Sequence, residues 1–290
     1  MNRNVRRRAT STVSLALIYV LTVAALVPLG LVLWYTIVRG LPSVIHPEFF
    51  FKVEGAPCEP ACPAIPTSGV EHAIVGTGIL VGLASLIAIP VGVLGGVFLA
   101  EYGTGRLAAS VRLASDVLVG TPSIAIGLFA YSFFVVPFHH FSGWSGSIAL
   151  SILMLPIVVR TTEGAVLLIP GGLRESGLAL GLARWRVSLQ LILPAAAPGV
   201  ITGALLSVAR ASGETAPLLF TAFGAHVLQL DPNAAMQALP LTVFKDALAP
   251  YKSFQDQAWG AALVLVILVL AINLASRWVL RRQIRLAGQL

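Results

Sequence analysis

Residues Arg174–Pro194 read R-E-S-G-L-A-L-G-L-A-R-W-R-V-S-L-Q-L-I-L-P. Leu178, Leu182 and Trp185 recur at spacings of four and three, which predicts one apolar helical face. Glu175 stands early, where an acidic group suits a helix N-terminus. Gly181 interrupts good helix formers at a cost of about 1 kcal/mol relative to Ala, so it marks a tight bend or a close backbone approach. Pro194 marks where the following helix reorganises. The segment reads as a short amphipathic helix, residues 172–190, with a face free to dock on another protein. A helix that merely lies on lipid usually carries Lys and Arg across its polar face, without a fixed Glu and Gly.

The chain on either side is apolar. Phe141–Val159 precedes the segment, and Val187–Ala209 overlaps its end and follows it. Val13–Val38, Ala73–Ala100, Val117–Phe138 and Ala258–Ser276 are further runs without a charged residue. A helix of roughly 20 apolar residues crosses about 30 Å of hydrocarbon, so the fold class is an all-α polytopic membrane protein of six spans. Arg3, Arg6, Arg7 and Arg8 ahead of the first run imitate a signal peptide. That run is 26 residues long, against roughly 7–15 for a signal core, and it reads as an uncleaved helix.

Composition agrees. Of 290 residues, 57% are hydrophobic and 11% charged, and the mean hydropathy is +0.89. A soluble globular enzyme cannot cover its surface with so few charges, and a disordered chain needs the opposite balance. The net charge of +7 reports orientation rather than nucleic acid. With the N-terminus inside, 14 of the 19 Lys and Arg fall in inner segments and five in outer ones, so both termini face the cytoplasm. The layout is a basic tail at 1–12, a first helix at 13–38, an outer loop at 39–72, a five-helix core at 73–280 and a basic tail at 281–290. Short helices are expected in the outer loops 39–72 and 223–257. Gly78 and Gly82, like Gly92 and Gly96, have the spacing that lets helices approach closely, and ordinary bundle packing accounts for them.

The segment at 174–194 resembles the E-A-A-x3-G-x9-I-x-L-P loop of ABC importer permeases. Glu175, Ser176 and Gly177 stand at E-A-A, Gly181 follows after three residues, and Leu191–Pro194 after nine more. Ser176, Gly177 and Leu191 depart from the pattern without changing its spacing. Gly120–Phe129 (G-T-P-S-I-A-I-G-L-F) and Ala209–Phe220 (A-R-A-S-G-E-T-A-P-L-L-F) resemble the phosphate-specific branch, A-type permease subunit. The resemblance covers most of the chain from about residue 70. It implies the type I importer fold in a bacterial cytoplasmic membrane, with Glu175, Ser176, Gly177, Gly181 and Pro194 in a coupling helix. It also implies inorganic phosphate as solute, a homologous second permease, two ATP-binding subunits and a periplasmic or lipid-anchored phosphate-binding protein. A P-loop needs Gly before its Lys, but Phe51, Phe244 and Tyr251 precede the three lysines. ATP hydrolysis would therefore belong to a partner, and this chain is not an enzyme.

Arg210 and Glu214 stand at i and i+4 on one helix face. Charges inside a membrane are functional candidates by default. The guanidinium fork matches phosphate oxygens. Phosphate near neutral pH keeps a P–OH that Glu214 can accept in a hydrogen bond, whereas sulfate has none to give. Mutual neutralisation of Arg210 and Glu214 is the competing reading. Thr121, Ser123 and Thr215 offer hydroxyls to a passing anion or glue helices together. Arg160 and Glu163 mark an exit gate or a membrane boundary, and Asp116 pairs most simply with Arg112 at i−4. Cys58 and Cys62, across Pro60, suit a local disulfide on an oxidising outer face. His46 and His72 are distant from them, His139 and His140 read as surface residues, and no metal or cofactor is assigned. A permease for another oxyanion or small solute is the nearest alternative. An ion-driven carrier would not need the 174–194 loop, and an intramembrane protease would need a Ser–His pair inside the apolar runs.

Overall fold

The computed structural model describes residues 3–55 and 68–287. Cys58 and Cys62 lie outside the described residues. Long helices are α1 (Arg3–Val44), α3 (Glu71–Glu101), α6 (Gly143–Leu167), α9 (Leu193–Ser212) and α12 (Lys252–Ala287). Shorter ones are α2 (Glu48–Phe51), α4 (Arg106–Gly120), α5 (Ser123–Ala130), α7 (Gly171–Ala179), α8 (Arg184–Arg186), α10 (Ala216–Thr221) and α11 (Leu239–Ala247). Among the described residues the only β-pairing is an isolated bridge between Phe223 and Met236.

Among the described residues, five helices are long and apolar enough to cross a membrane, or six if one bent pair is counted as a single span. The third span expected over Val117–Phe138, with a break or kink forced by Pro122, is α4, a turn of 106°, and α5 continued to Val135. The cause is local. A residue before proline is pushed out of the helical region, and Thr121 takes φ −72°, ψ 133° ahead of Pro122. Other boundaries move outward. α1 runs on to Val44, and α6 continues past Arg160 to Leu167, placing Arg160 and Glu163 inside the helix. The short helices expected in the outer loops are α2 and α11.

Two five- or six-residue stretches widen to π geometry, Tyr131–Val135 and Val187–Ile192. In each, a proline follows two residues on (Pro137, Pro194). A proline ring clashes with the carbonyl four residues back, and a wider turn makes room for it.

The centre of the fold is α3 packed on α6. A Cβ at Gly92 would lie 2.7 Å from Val158 Cβ, and one at Gly96 would lie 2.6 Å from the Val159 carbonyl. The absent side chains are what allow the backbones to meet. Gly78 and Gly82 have the same spacing but meet nothing within 4 Å among the described residues. The core divides by depth. Leu80, Leu150, Met154, Leu218 and Leu241 pack in the outer half. Val97, Val166, Val187 and Ile192 pack at the inner end. α1 packs chiefly on α12, with Tyr35 edge-on to Trp259 at 5.2 Å, and leaves its apolar length exposed.

Candidate functional site

The inner loop is shorter and sharper than the helix expected over 172–190. α7 ends at Ala179 in a Schellman arrangement. Leu182 N–H donates to the Gly177 carbonyl (3.2 Å), Gly181 N–H donates to the Leu178 carbonyl (2.9 Å), and Gly181 has φ +78°. Only glycine enters that region without strain. Leu178, Leu182 and Trp185 therefore do not share one helix face. Leu182 turns into the inner core, while Leu178, Leu180 and Trp185 stay exposed beside Glu175. Ser176 Oγ donates to the Gly172 carbonyl at 2.7 Å. Gly177 is buried where the chain returns, and a Cβ there would lie 2.8 Å from Leu191 Cδ1.

Arg174, which in the sequence counts only toward orientation, anchors this loop. Its Nε donates to Glu101 Oε1 at 2.8 Å, and its Nη1 and Nη2 donate to the carbonyls of Ile169 and Val166 at 2.7 and 2.9 Å. Glu101 closes α3 at the end where the helix dipole disfavours an acid. That misfit is the sequence signal of a cationic partner.

Arg160 and its neighbours form a closed network. Arg160 Nε and Nη2 grip both oxygens of Asp116 at 3.0 and 3.2 Å. Its Nη1 donates to Glu163 Oε2 at 2.8 Å. Arg112 Nε takes the other oxygen of Glu163 at 2.6 Å, and its Nη2 donates to the Leu99 carbonyl at 2.9 Å. The Arg112–Asp116 pair expected from i, i+4 spacing is thus exchanged for two pairs across α4 and α6. α6 presents a carboxylate and a guanidinium together, and each finds its opposite. Two arginines and two carboxylates balance, so the network ties α3, α4 and α6 and leaves Arg160 occupied.

The two sequence segments around Pro122 and Arg210 pack against each other at the outer half. α5 lies on α10, and a Cβ at Gly127 would sit 2.8 Å from Pro217 Cα. At the end of α9 Arg210 reaches Glu214 at only 3.5 Å, with the arginine 47% and the carboxylate 16% exposed. A contact at that limit is weak. Most of the five donors of this guanidinium are open toward the surface of the chain. Thr215 adjoins the pair and lines a cleft of about 340 Å³ with Gly213, Val243, Phe244 and Leu265. Thr121 stands at the α4–α5 bend and already donates its hydroxyl to the Val117 carbonyl at 2.8 Å. It therefore offers an oxygen lone pair rather than a proton. Ser123 opens α5 beside it.

His72 belongs to another group of side chains, at the outer end of α3. It lies buried at the start of α3, with Nε2 3.8 Å from Glu54 Oε2. His226 Nδ1 meets the same oxygen at 2.8 Å. Lys245 donates to the Phe223 carbonyl, and Asp246 beside it is buried. Burial, then the charge of Glu54, pushes the Asp246 carboxyl from 3.8 up to about 7, with Lys245 opposing. Burial pulls Lys245 down against Glu54 and Asp246. Among the described residues no three His, Cys, Asp or Glu side chains are grouped to hold a metal ion.

Residues 92–286 match the family described as "Binding-protein-dependent transport system inner membrane component". The chain is 39% identical to the phosphate transport system permease protein PstA of Haemophilus influenzae, over 95% of its own length and 96% of that protein's. It is 37% identical to PstA 1 of Mycobacterium tuberculosis (strain ATCC 25618 / H37Rv), over 97% and 92%. In three dimensions it is similar to a chain of the MetNI methionine ABC transporter in inward-facing conformations. There the TM-score is 0.56 at 23% identity, covering 71% of this chain and 90% of that one.

Proposed function

The chain belongs to the family of binding-protein-dependent transport system inner membrane components, and from that premise we propose that it is the membrane-spanning permease subunit of an ATP-driven importer of inorganic phosphate. It forms half of the passage through a bacterial cytoplasmic membrane beside a homologous second permease. Two ATP-binding subunits on the inner face hydrolyse ATP, and a periplasmic or lipid-anchored phosphate-binding protein delivers the solute. α7, exposing Glu175 and Leu178, is the coupling helix that receives their movement.

The observation that carries the reading is the loosely held Arg210 at 3.5 Å from Glu214, in a chain whose relatives over nearly its full length are named phosphate permeases. Arg160 and Arg112 are spent on carboxylates at close range; Arg210 keeps its fork for an anion. Arg210 attracts the phosphate and binds two of its oxygens. Glu214 accepts the hydrogen bond of the P–OH, which sulfate lacks, and Thr215 supplies a hydroxyl. Thr121, Ser123 and Arg160 lie further along the passage.

The test is uptake of labelled phosphate and sulfate by cells lacking this chain and complemented with variants. The native chain restores phosphate uptake. Arg210→Lys, which keeps the charge and loses the fork, lowers uptake by about tenfold or more, the worth of one or two charged hydrogen bonds. Glu214→Gln admits sulfate as a competitor. Full phosphate uptake with Arg210→Lys, together with unchanged sulfate exclusion in Glu214→Gln, would leave the pair as mutual neutralisers only.

A further inference from the structure

The inner loop is tied on both sides of its bend to one place on α3. Before Gly181, Arg174 brings Nε and Nη2 each to 2.8 Å from Glu101 Oε1. After it, Arg184 Nη2 donates to the Glu101 backbone carbonyl at 3.4 Å, and its guanidinium carbon lies 5.2 Å from the centre of the Tyr102 ring. The Arg174 side chain is a quarter exposed and that of Glu101 a tenth, so salt and solvent screen the pair little. Arg174 points away from the exposed face that carries Glu175. It also holds the end of α6 through Val166 and Ile169, so α7 cannot move without pulling on both helices.

α3 then runs as one helix from Glu101 back to Glu71, 31 residues or about 46 Å. At its outer end Gly76 abuts the Gln237 carbonyl, and Thr77 Oγ1 accepts the Leu239 N–H at 2.8 Å. Leu239 opens α11, whose Val243 and Phe244 face Gly213 and Thr215 across the cleft next to Arg210. A continuous set of contacts therefore leads from the inner loop to the outer pair along α3, which carries Pro90 in its interior and is held along its length by α6.

Resting on the importer reading above, we infer that the Arg174–Glu101 ion pair is the tie through which movement of the inner loop is delivered to α3. Arg174 and Glu101 are positioning residues for transport. They touch neither the solute nor the nucleotide, and losing the tie separates hydrolysis from translocation.

The experiment uses the complete complex in proteoliposomes with the binding protein present, and reads phosphate imported per ATP hydrolysed. Glu101→Gln and Arg174→Gln each keep ATP hydrolysis within about twofold and lower that ratio at least fivefold. The double variant lowers it no further than either single change, because one tie is lost once. An unchanged ratio in the single variants, or effects that multiply in the double one, overturns the inference. A merely structural role would lower assembly and hydrolysis together and spare the ratio. Should Glu101→Gln fail to assemble, Glu101→Asp keeps the charge with a shorter reach; a lowered ratio supports the tie and an unchanged one overturns it. A native complex that hydrolyses ATP and moves no phosphate would sink the importer reading instead.

Discussion

At its inner end α3 delivers Glu101 to Arg174, and next to it Arg112 and Arg160 share Glu163 while Arg160 also grips Asp116. At its outer end it delivers His72 to a group whose charges are not matched one to one. Glu54 serves two histidines, and Asp246 Oδ2 is buried with no hydrogen-bond partner among the described residues. The inner end holds its charges in fixed pairs and caps helix ends with them. The outer end holds the buried carboxyl of Asp246, which burial raises to about 7. The difference follows the tasks proposed for each face: a stiff seat where force enters, and an adjustable rim where the solute arrives.

The largest effect is expected from breaking the inner network. Glu163→Leu leaves Arg112 without its carboxylate, while Arg160 keeps Asp116. Removing one member of a buried ion pair costs about 3–5 kcal/mol; the Arg112 guanidinium left behind is a third exposed, so solvent screens part of that and the thermal unfolding midpoint in detergent should fall by the worth of about 2–4 kcal/mol. A fall no larger than that of an exposed pair such as Glu48–Lys52, worth at most about 1 kcal/mol, would erase the contrast between the two ends.

Next comes the outer group. With its folded value raised from 3.8 to about 7, Asp246 binds a proton between pH 4 and 7 in the folded chain but not in the unfolded one. Stability from this group is therefore lost as pH rises through that window and stays lost above it. Asp246→Asn should stabilise by about 2–4 kcal/mol at pH 8, the linkage value of such a shift, and by less at pH 5. Equal gains at both values would show that charge is not the reason. The smallest effect belongs to the bend. Gly181→Ala at φ +78° costs about 1–2 kcal/mol, and Gly181→Asn should cost less because Asn tolerates that region better. Unfolding midpoints of the two variants rank them.

Local features are legible in the residue order itself. Thr121–Pro122 announces a break, since the residue before proline resists the helix, although its angle of 106° does not follow from that rule. Gly181 announces a bend, and the fold supplies its cap. The Arg112–Asp116 spacing was a plausible pair, but α6 offered each residue a nearer opposite charge. Glu101 carried a signal at the level of one helix, an acid at the wrong end, and its partner lies 73 residues further along the chain. The outer group gave no signal, because Glu54, His72, His226 and Asp246 are scattered over nearly two hundred positions.

By itself the amino-acid order determined that the chain carries helices long and apolar enough to cross a membrane, and where those helices break. Those outcomes depend on hydration, charge and backbone sterics within a few neighbouring residues. Tertiary structure alone decided which charges meet, which of two equal glycine pairs packs, and that both sides of the inner bend grip Glu101 and Tyr102. Electrostatic and packing energies depend on distance in space, and distance along the chain does not set it.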